Sequence, residues 1–141
     1  MIDGNLDEAI WTSAPSIGEL VQRQPNPGGE PSEETKVTLL HDADYLYIGV
    51  VAYDSELDSI NSTQMARDAS LRSDDQIEIL LDTLLDKRNA FYFSTNADGA
   101  LVDGLAFGNK ELNTDWNAIW DLRTQRNFEG WTAEIAIPFK S

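Results

Sequence analysis

Residues 45–53 read Tyr-Leu-Tyr-Ile-Gly-Val-Val-Ala-Tyr, a stretch rich in the β-branched and aromatic side chains that favour strands. Apolar side chains occupy both alternating faces of this stretch. A strand that is apolar on both faces is buried on both, so residues 45–53 are predicted to form a central strand of a sheet.

Further strands are predicted on both sides of this central segment. A period of two recurs along the chain, and glycines at positions 99 and 130 suit the tight turns of antiparallel hairpins. The last predicted strand alternates apolar with polar residues, so one of its faces is expected to be buried and the other wet. The additional predicted strands cover residues 36–41, 76–82, 90–96, 100–107, 118–126 and 130–138.

Seven strands with little helix predict an all-β fold, an antiparallel β-sandwich with one short N-terminal helix. The helix is expected over residues 6–14, with Ile10 and Trp11 facing the core. Residues 24–32 are rich in proline and glycine and are predicted to form a surface loop. An up-and-down barrel is the architectural alternative. The length suits a single domain spanning residues 1–141.

The composition excludes several classes of partner and chemistry. The 25 acidic and 10 basic residues give a formal net charge of -15, which repels phosphate groups, so no nucleic-acid partner is expected. No apolar run is long enough to span a bilayer, so no membrane insertion by this segment is expected. The chain has no cysteine and one histidine, His41, which leaves triad and thiolate chemistry without support.

Calcium is the metal that the acidic composition suits, because it prefers carboxylate and carbonyl oxygens. Asp82 and Asp86 flank a turn, and Asp54 follows the central strand. These three residues are the candidate metal ligands. Solvated turns without a metal are the alternative at each of these positions.

A polar strip is predicted on residues 76–82. Because side chains alternate along a strand, one face carries Gln76, Glu78, Leu80 and Asp82, while the isoleucines between them point into the core. The strand that follows offers Tyr92, Ser94 and Asn96 on one side. If the two polar sides coincide, they form a hydrogen-bonding surface suited to a sugar. An ordinary solvated sheet face is the alternative.

The four tryptophans are predicted to divide between core and surface. Trp11, Trp120 and Trp131 fit core positions, whereas Trp116 lies at the end of a long connection and is predicted to be more exposed. An exposed tryptophan can stack on the apolar face of a pyranose ring. Trp116 is therefore a candidate sugar contact.

Several segments, in order along almost the whole chain, resemble the carbohydrate-binding module family 9-like domain. The resemblance is closest to the version at the N-terminus of bacterial extracytoplasmic proteins that continue into a predicted outer-membrane barrel. Segments that carry it are residues 2–11, 44–50, 73–78, 96–99 and 130–139, with Arg67-Asp68 and residues 86–88 also fitting.

The resemblance implies a β-sandwich, often with structural calcium, and in sugar-binding members a slot between two tryptophans. It assigns the slot glutamate to Glu78 and an accompanying aspartate to Asp75. Arg72 stands where the family has the first tryptophan, and Ser94 where it has an arginine; the second tryptophan would lie beyond Ser141. The candidate ligand-binding residues are Arg67, Arg72, Asp75, Glu78, Asn96 and Trp116.

The expected function is a non-catalytic carbohydrate-binding domain of a polysaccharide-processing or envelope protein, located outside the cytoplasm. Its partner would be a polysaccharide or oligosaccharide. The alternatives are a structural or protein-interaction module of a larger outer-membrane protein, and a glycoside hydrolase. No haem is expected, because axial ligation needs histidine or methionine, and the chain has only one histidine and two methionines.

The family continues with further strands after the position of Ser141. The resemblance therefore implies a domain truncated at its C-terminal end, with an unpaired edge strand. Such an edge can pair with another chain, and a dimer formed through it is a hypothesis.

Overall fold

The computed structural model describes residues 2–17, 20, 28–29, 33–71, 74–108 and 111–140. They form two four-stranded antiparallel sheets that pack against each other, which confirms the predicted all-β sandwich. One short helix, α1 (Ala9–Ser13), and a single 3-10 turn at Leu57–Ser59 accompany the sheets. The strands are β1 (Thr35–His41), β2 (Tyr45–Tyr53), β3 (Gln76–Leu81), β4 (Ala90–Asn96), β5 (Val102–Ala106), β6 (Leu112–Asn113), β7 (Asp121–Asn127) and β8 (Gly130–Pro138).

The first sheet has the order β1-β2-β8-β7, and the second has the order β3-β4-β5-β6. β2 lies between β1 and β8, which confirms the central position predicted for residues 45–53. Its inward-facing residues Ile48 and Val50 are buried between the sheets, together with Phe93 from β4 and Ile135 from β8. Aliphatic and aromatic burial of this kind is the main favourable term in folding.

The N-terminal segment covers the outer face of the first sheet. Trp11 packs so closely on Gly49 that a Cβ there would lie 3.0 Å from its ring, which explains a glycine in the middle of a central strand. The indole Nε1–H of Trp11 and the backbone N–H groups of Asp3 and Gly4 donate to the carboxylate of Glu134. Glu134 is consequently only 2% exposed.

Three of the sequence-based predictions are corrected by this arrangement. The outer face of β8 is buried rather than wet, because the N-terminal segment covers it. The helix is shorter than residues 6–14, and of its two predicted core residues Trp11 is buried whereas Ile10 is 58% exposed. The short strand β6 was not predicted, since two residues carry no periodicity. The loop predicted at residues 24–32 lies largely outside the described residues.

One side of the sandwich is closed by a buried carboxylate. Asp103 of β5 is fully buried, and its Oδ2 accepts hydrogen bonds from Trp120 Nε1 (2.9 Å), from the backbone N–H of Ala118 (3.1 Å) and from Arg67 Nη2 (2.6 Å). These bonds fix the connection between β6 and β7 over the interior. Trp120 is thereby held in the core, as predicted. None of the helices in the described part of the chain is long and apolar enough to cross a membrane.

Candidate functional site

A concave pocket of about 380 Å³ lies on the outer face of the second sheet. Its polar residues come from two neighbouring strands, β3 and β4, whose register places Glu78 opposite Ser94. The predicted polar sides of the two strands therefore coincide. The lining residues are Asp68, Ala69, Ser70, Leu71, Gln76, Glu78, Tyr92, Ser94, Val102, Leu112 and Thr114.

Tyr92 and Glu78 form the central pair of this pocket. The Tyr92 hydroxyl donates to Glu78 Oε1 at 2.9 Å. Burial of the phenol is the main factor that raises the pKa of Tyr92 to about 12; the bond to Glu78 acts in the same direction and the Ser94 hydroxyl opposes it. Tyr92 is therefore protonated at neutral pH and remains a donor, which leaves Glu78 Oε2 available to accept from a ligand.

A second polar pair lies beside the first. Ser94 Oγ donates to Gln76 Oε1 at 3.2 Å, so the amide nitrogen of Gln76 still offers two N–H donors. Leu71, Ala100 and Val102 form a small apolar cluster against which the Tyr92 ring packs. The pocket thus presents Glu78 as a fixed acceptor and Gln76 as a donor, and the apolar cluster packs against the Tyr92 ring beneath them.

Asn96 does not belong to this surface, which corrects the prediction that it contacts a ligand. It is 0% exposed, and its Nδ2 donates to Asp74 Oδ2 (2.9 Å) and to the backbone oxygen of Gln64 (2.6 Å). Its Oδ1 accepts from the backbone N–H groups of Asp98 and Ala100. All the hydrogen-bonding capacity of the side chain is engaged in fixing the turn after β4 and the connection before β3.

Of the two candidate arginines, the structure describes Arg67 only, and Arg67 does not line the pocket. Arg67 is turned towards the closed side of the sandwich, where it contacts Asp103, Asn117 and the backbone oxygen of Ala118. It is therefore a structural residue. Arg72 lies outside the described residues.

Trp116 and Asp75 also lie apart from the pocket. Trp116 is partly buried, with its ring 5.1 Å from that of Phe91, and it lines a different, apolar pocket of about 300 Å³ at one end of the sandwich. It is more exposed than the other three tryptophans, as predicted, but its ring packs against Phe91 and Phe93 and does not lie free on the surface. Asp75 Oδ2 accepts from the backbone N–H of Asn61 (2.8 Å) and faces the opening between the sheets. Among the predicted ligand contacts that fall in the described ranges, Glu78 alone lines the pocket.

Asp54, Asp82 and Asp86 do not meet as one set of metal ligands. Asp82 accepts from the backbone N–H groups of Asp86 and Lys87, Asp86 accepts from those of Arg88 and Asn89, and Asp54 accepts from that of Glu56. These carboxylates stabilise turns. Within the described ranges, the carboxylates that do converge within 4.8 Å are those of Asp3, Glu8 and Glu134. Both oxygens of Glu134 already accept N–H groups.

The residues that accompany Glu78 were visible in the alternation of β3 and β4, which places Gln76, Tyr92 and Ser94 on its face. The contributions of residues 68–71 and of Leu112 had no signal in the sequence. Residues 68–71 belong to the long connection after residue 54, and Leu112 lies on the short strand β6, which was not predicted.

Two solved structures are similar to the whole chain. Both are of a carbohydrate binding module family 9 from Caldicellulosiruptor kristjanssonii, one in complex with cellotriose and one in complex with glucose. Each has 23% sequence identity and a TM-score of 0.64, and each match covers 100% of this chain. The chain spans 64% of the length of the first and 65% of the second. The comparison with curated proteins gives no match.

A family model adds to this likeness of fold. The model described as "Carbohydrate family 9 binding domain-like" matches residues 2–141, practically the entire chain. The chain belongs to the carbohydrate family 9 binding domain-like family.

Proposed function

We propose that this domain binds a neutral saccharide in the pocket on the outer face of β3 and β4. The observation that carries the proposal is the convergence of Glu78, Tyr92, Gln76 and Ser94 in one concave site. Family membership supports it, as do the complexes of the similar structures with cellotriose and glucose.

The hydrogen-bonding pattern of the pocket suits sugar hydroxyls, because each hydroxyl can both donate and accept. Glu78 Oε2 would accept from one hydroxyl, while the Gln76 amide would donate to another. Both side chains are already oriented by Tyr92 and Ser94, so little side-chain entropy is lost when a ligand binds.

The charge of the pocket favours neutral sugars over acidic ones. Glu78 and Asp68 both line it, and no basic residue does so in the described part of the chain. A uronate would bring a third carboxylate into the same space, where like charges repel. The described lining also lacks tryptophan, so stacking contributes little, and affinity in the millimolar range, about −4 kcal/mol, is expected.

The domain is proposed to bind without catalysis. A glycoside hydrolase needs two carboxyl groups that flank the scissile bond with distinct roles. Here Glu78 is held by Tyr92, and Asp68 accepts the backbone N–H of Asp103, so both acids have structural partners. Turnover of a chromogenic glycoside that Glu78→Gln abolishes would establish the hydrolase alternative instead.

Calorimetric titration with glucose and cellotriose tests the binding proposal. Glu78→Gln should weaken binding roughly tenfold or more, because hydrogen bonds to a charged group contribute about 1.5–3 kcal/mol. Tyr92→Phe should weaken it less, since it leaves the carboxylate in place. Glu129→Gln is the matched control, because Glu129 lies at the exposed β7–β8 turn.

Equal affinities of Glu78→Gln and the unaltered chain would contradict the proposed site. Absence of heat with either sugar at tens of millimolar would contradict saccharide binding itself. Circular dichroism of all three variants shows whether the fold is retained.

The wider context of the domain stays a prediction from the family resemblance. The resemblance predicts an extracytoplasmic location, a place in a polysaccharide-processing or envelope protein, and structural calcium. Calcium is tested by thermal unfolding with calcium and with a chelator, where a raised midpoint in calcium is the expected result.

A further inference from the structure

One wall of the saccharide pocket comes from the connection that precedes β3, and Asp68 is the acidic residue of that wall. Two hydrogen bonds hold Asp68 beside the start of β5: its backbone N–H donates to the carbonyl oxygen of Leu101 at 2.9 Å, and its Oδ1 accepts from the backbone N–H of Asp103 at 3.3 Å. A further backbone bond, from Ala69 N–H to the oxygen of Ala66 at 3.2 Å, closes the turn. The Asp68 carboxylate is therefore attached to the second sheet.

The backbone of Asp68 lies in the left-handed region, with a φ of 60°. Aspartate and asparagine tolerate this region better than most other non-glycine residues, because their short polar side chains form local hydrogen bonds. The two neighbouring side chains separate here, since Arg67 reaches the buried Asp103 while Asp68 lines the pocket on the outer face. A sparsely populated backbone conformation persists where surrounding contacts enforce it, and such residues cluster at binding sites.

One oxygen of Asp68 can accept a hydrogen bond from a ligand. Oδ1 is engaged by the backbone N–H of Asp103, whereas Oδ2 lies 4.0 Å from Arg67 Nε, which is beyond hydrogen-bonding distance. The side chain is 25% exposed, so a hydroxyl group can reach it from the pocket. Asp68 thus resembles Glu78, in which the protein holds one carboxylate oxygen and the second can accept from a sugar.

Arg67 fixes the residue that immediately precedes this turn. Its Nη2 donates to Asp103 Oδ2 at 2.6 Å and to the backbone oxygen of Ala118 at 3.3 Å, and its Nε donates to Asn117 Oδ1 at 3.2 Å. Asp103 is fully buried, and hydrogen bonds between two charged groups are the strong ones. Because Arg67 does not line the pocket, it can act on a bound sugar only through the position of Asp68.

We propose that Asp68 is a second saccharide-binding carboxylate, which accepts from a sugar hydroxyl through Oδ2, and that Arg67 is the residue that positions it. This role rests on the proposed saccharide site and adds a contact that the family resemblance does not assign. With Glu78, it gives the pocket two carboxylate acceptors from different segments of the chain. Two hydroxyl groups of one sugar are then recognised together, which favours polyhydroxylated rings over ligands with a single hydroxyl.

Calorimetric titration of glucose and cellotriose into three variants tests the contact with Asp68. Asp68→Asn suits the left-handed backbone and still offers Oδ1, but it loses the charged acceptor, so binding should weaken about tenfold. Asp68→Gly keeps the backbone conformation and removes both oxygens, and it should weaken binding at least as much. Asp98→Asn is the matched control, because the exposed pair of Asp98 with Arg126 does not line the pocket, and its affinity should be unchanged.

A double-mutant cycle tests the positioning role of Arg67. Arg67→Met should weaken binding about threefold or more, and Arg67→Lys, which keeps a positive charge beside Asp103, should weaken it less. The combined variant Arg67→Met/Asp68→Asn should bind no more weakly than Asp68→Asn alone, because both changes act on the same contact. A merely structural role would lower stability without this coupling in affinity. The cycle is repeated with Arg67→Lys, so the test stands even if Arg67→Met does not fold.

Two results would overturn these roles while leaving the proposed pocket in place. One is unchanged affinity of both Asp68 variants under conditions in which Glu78→Gln weakens binding. The other is additive losses in the cycle, which would separate the effect of Arg67 from that of Asp68. If the unaltered chain gives no heat with either sugar, the proposed saccharide function itself fails, and the roles of both residues fail with it.

Discussion

The two lateral sides of the sandwich differ in how their core is closed. On the side of β7, the buried Asp103 fastens the connection between β6 and β7 over the interior, and Leu122 is buried behind it. On the side of β1 and β3, the apolar residues Ile79 and Leu81 face the opening between the sheets and are only partly buried. Apolar side chains on the two sides are thus buried to different extents. On the side of β7 a polar anchor holds a connection across the edge of the sandwich, and the interior behind it is covered.

The largest expected effect comes from removing the anchor of the closed side. Asp103→Ala leaves Trp120 Nε1, the backbone N–H of Ala118 and the Arg67 guanidinium without their acceptor. Loss of one member of such a buried set costs about 3–5 kcal/mol of unfolding free energy. Asp121→Ala, which removes an exposed ion pair with Arg123, should cost about 1 kcal/mol or less. Urea unfolding of the two variants measures both losses, and equal losses would contradict the account.

A matched pair of leucines tests the difference between the sides directly. Leu122→Ala should cost about 2–5 kcal/mol, the usual loss for a buried leucine. Leu81→Ala should cost roughly half as much or less, since part of that side chain is already in contact with water. If Leu81→Ala proves as destabilising as Leu122→Ala in urea unfolding, the open side is better packed than described.

A smaller effect concerns a buried hydrogen-bonded carboxylate on the open side. Asp74, just before β3, accepts from Thr63, Gln64 and Asn96. Burial alone would raise the pKa of Asp74, but these hydrogen bonds outweigh it and lower the pKa from 3.8 to about 2. A carboxyl group whose pKa is lower in the folded state than in the unfolded state stabilises the fold at pH values above its unfolded pKa. That contribution is lost as the pH falls from about 4 to 2.

Asp74→Asn should therefore unfold more easily than the unaltered chain at neutral pH, and the two should converge between pH 4 and 2. Urea midpoints measured across this range give the comparison. Asp98→Asn is the control, as Asp98 forms an exposed pair with Arg126. A separation between Asp74→Asn and the unaltered chain that stays constant with pH would contradict the role of the Asp74 charge.

The sequence predicted local features of this fold and missed features that depend on distant contacts. Alternation assigned the faces of β3 and β4, because the direction of a side chain along a strand is a local property. It could not show that Asn96 would be buried, since this requires Gln64 and Asp74 to lie against the end of β4. The buried outer face of β8 was missed for the same reason, because Glu134 is covered by residues more than a hundred positions away.

Candidate ligands were mispredicted where a polar residue already had a structural partner. Arg67 and Asn96 have the side chains that sugar sites use, but the fold engages both in internal hydrogen bonds. Glu78 is different, because its partner Tyr92 lies on the same exposed face and orients the carboxylate without covering it.

The central claim is that the outer face of β3 and β4 binds a saccharide, and amide chemical-shift mapping during a glucose titration tests it most directly. The account predicts saturable shifts centred on residues 76, 78, 92 and 94, with a midpoint in the millimolar range. Shifts centred elsewhere, such as on the outer face of β2 at Tyr45 and Tyr47, or no saturable shifts at tens of millimolar glucose, would contradict it.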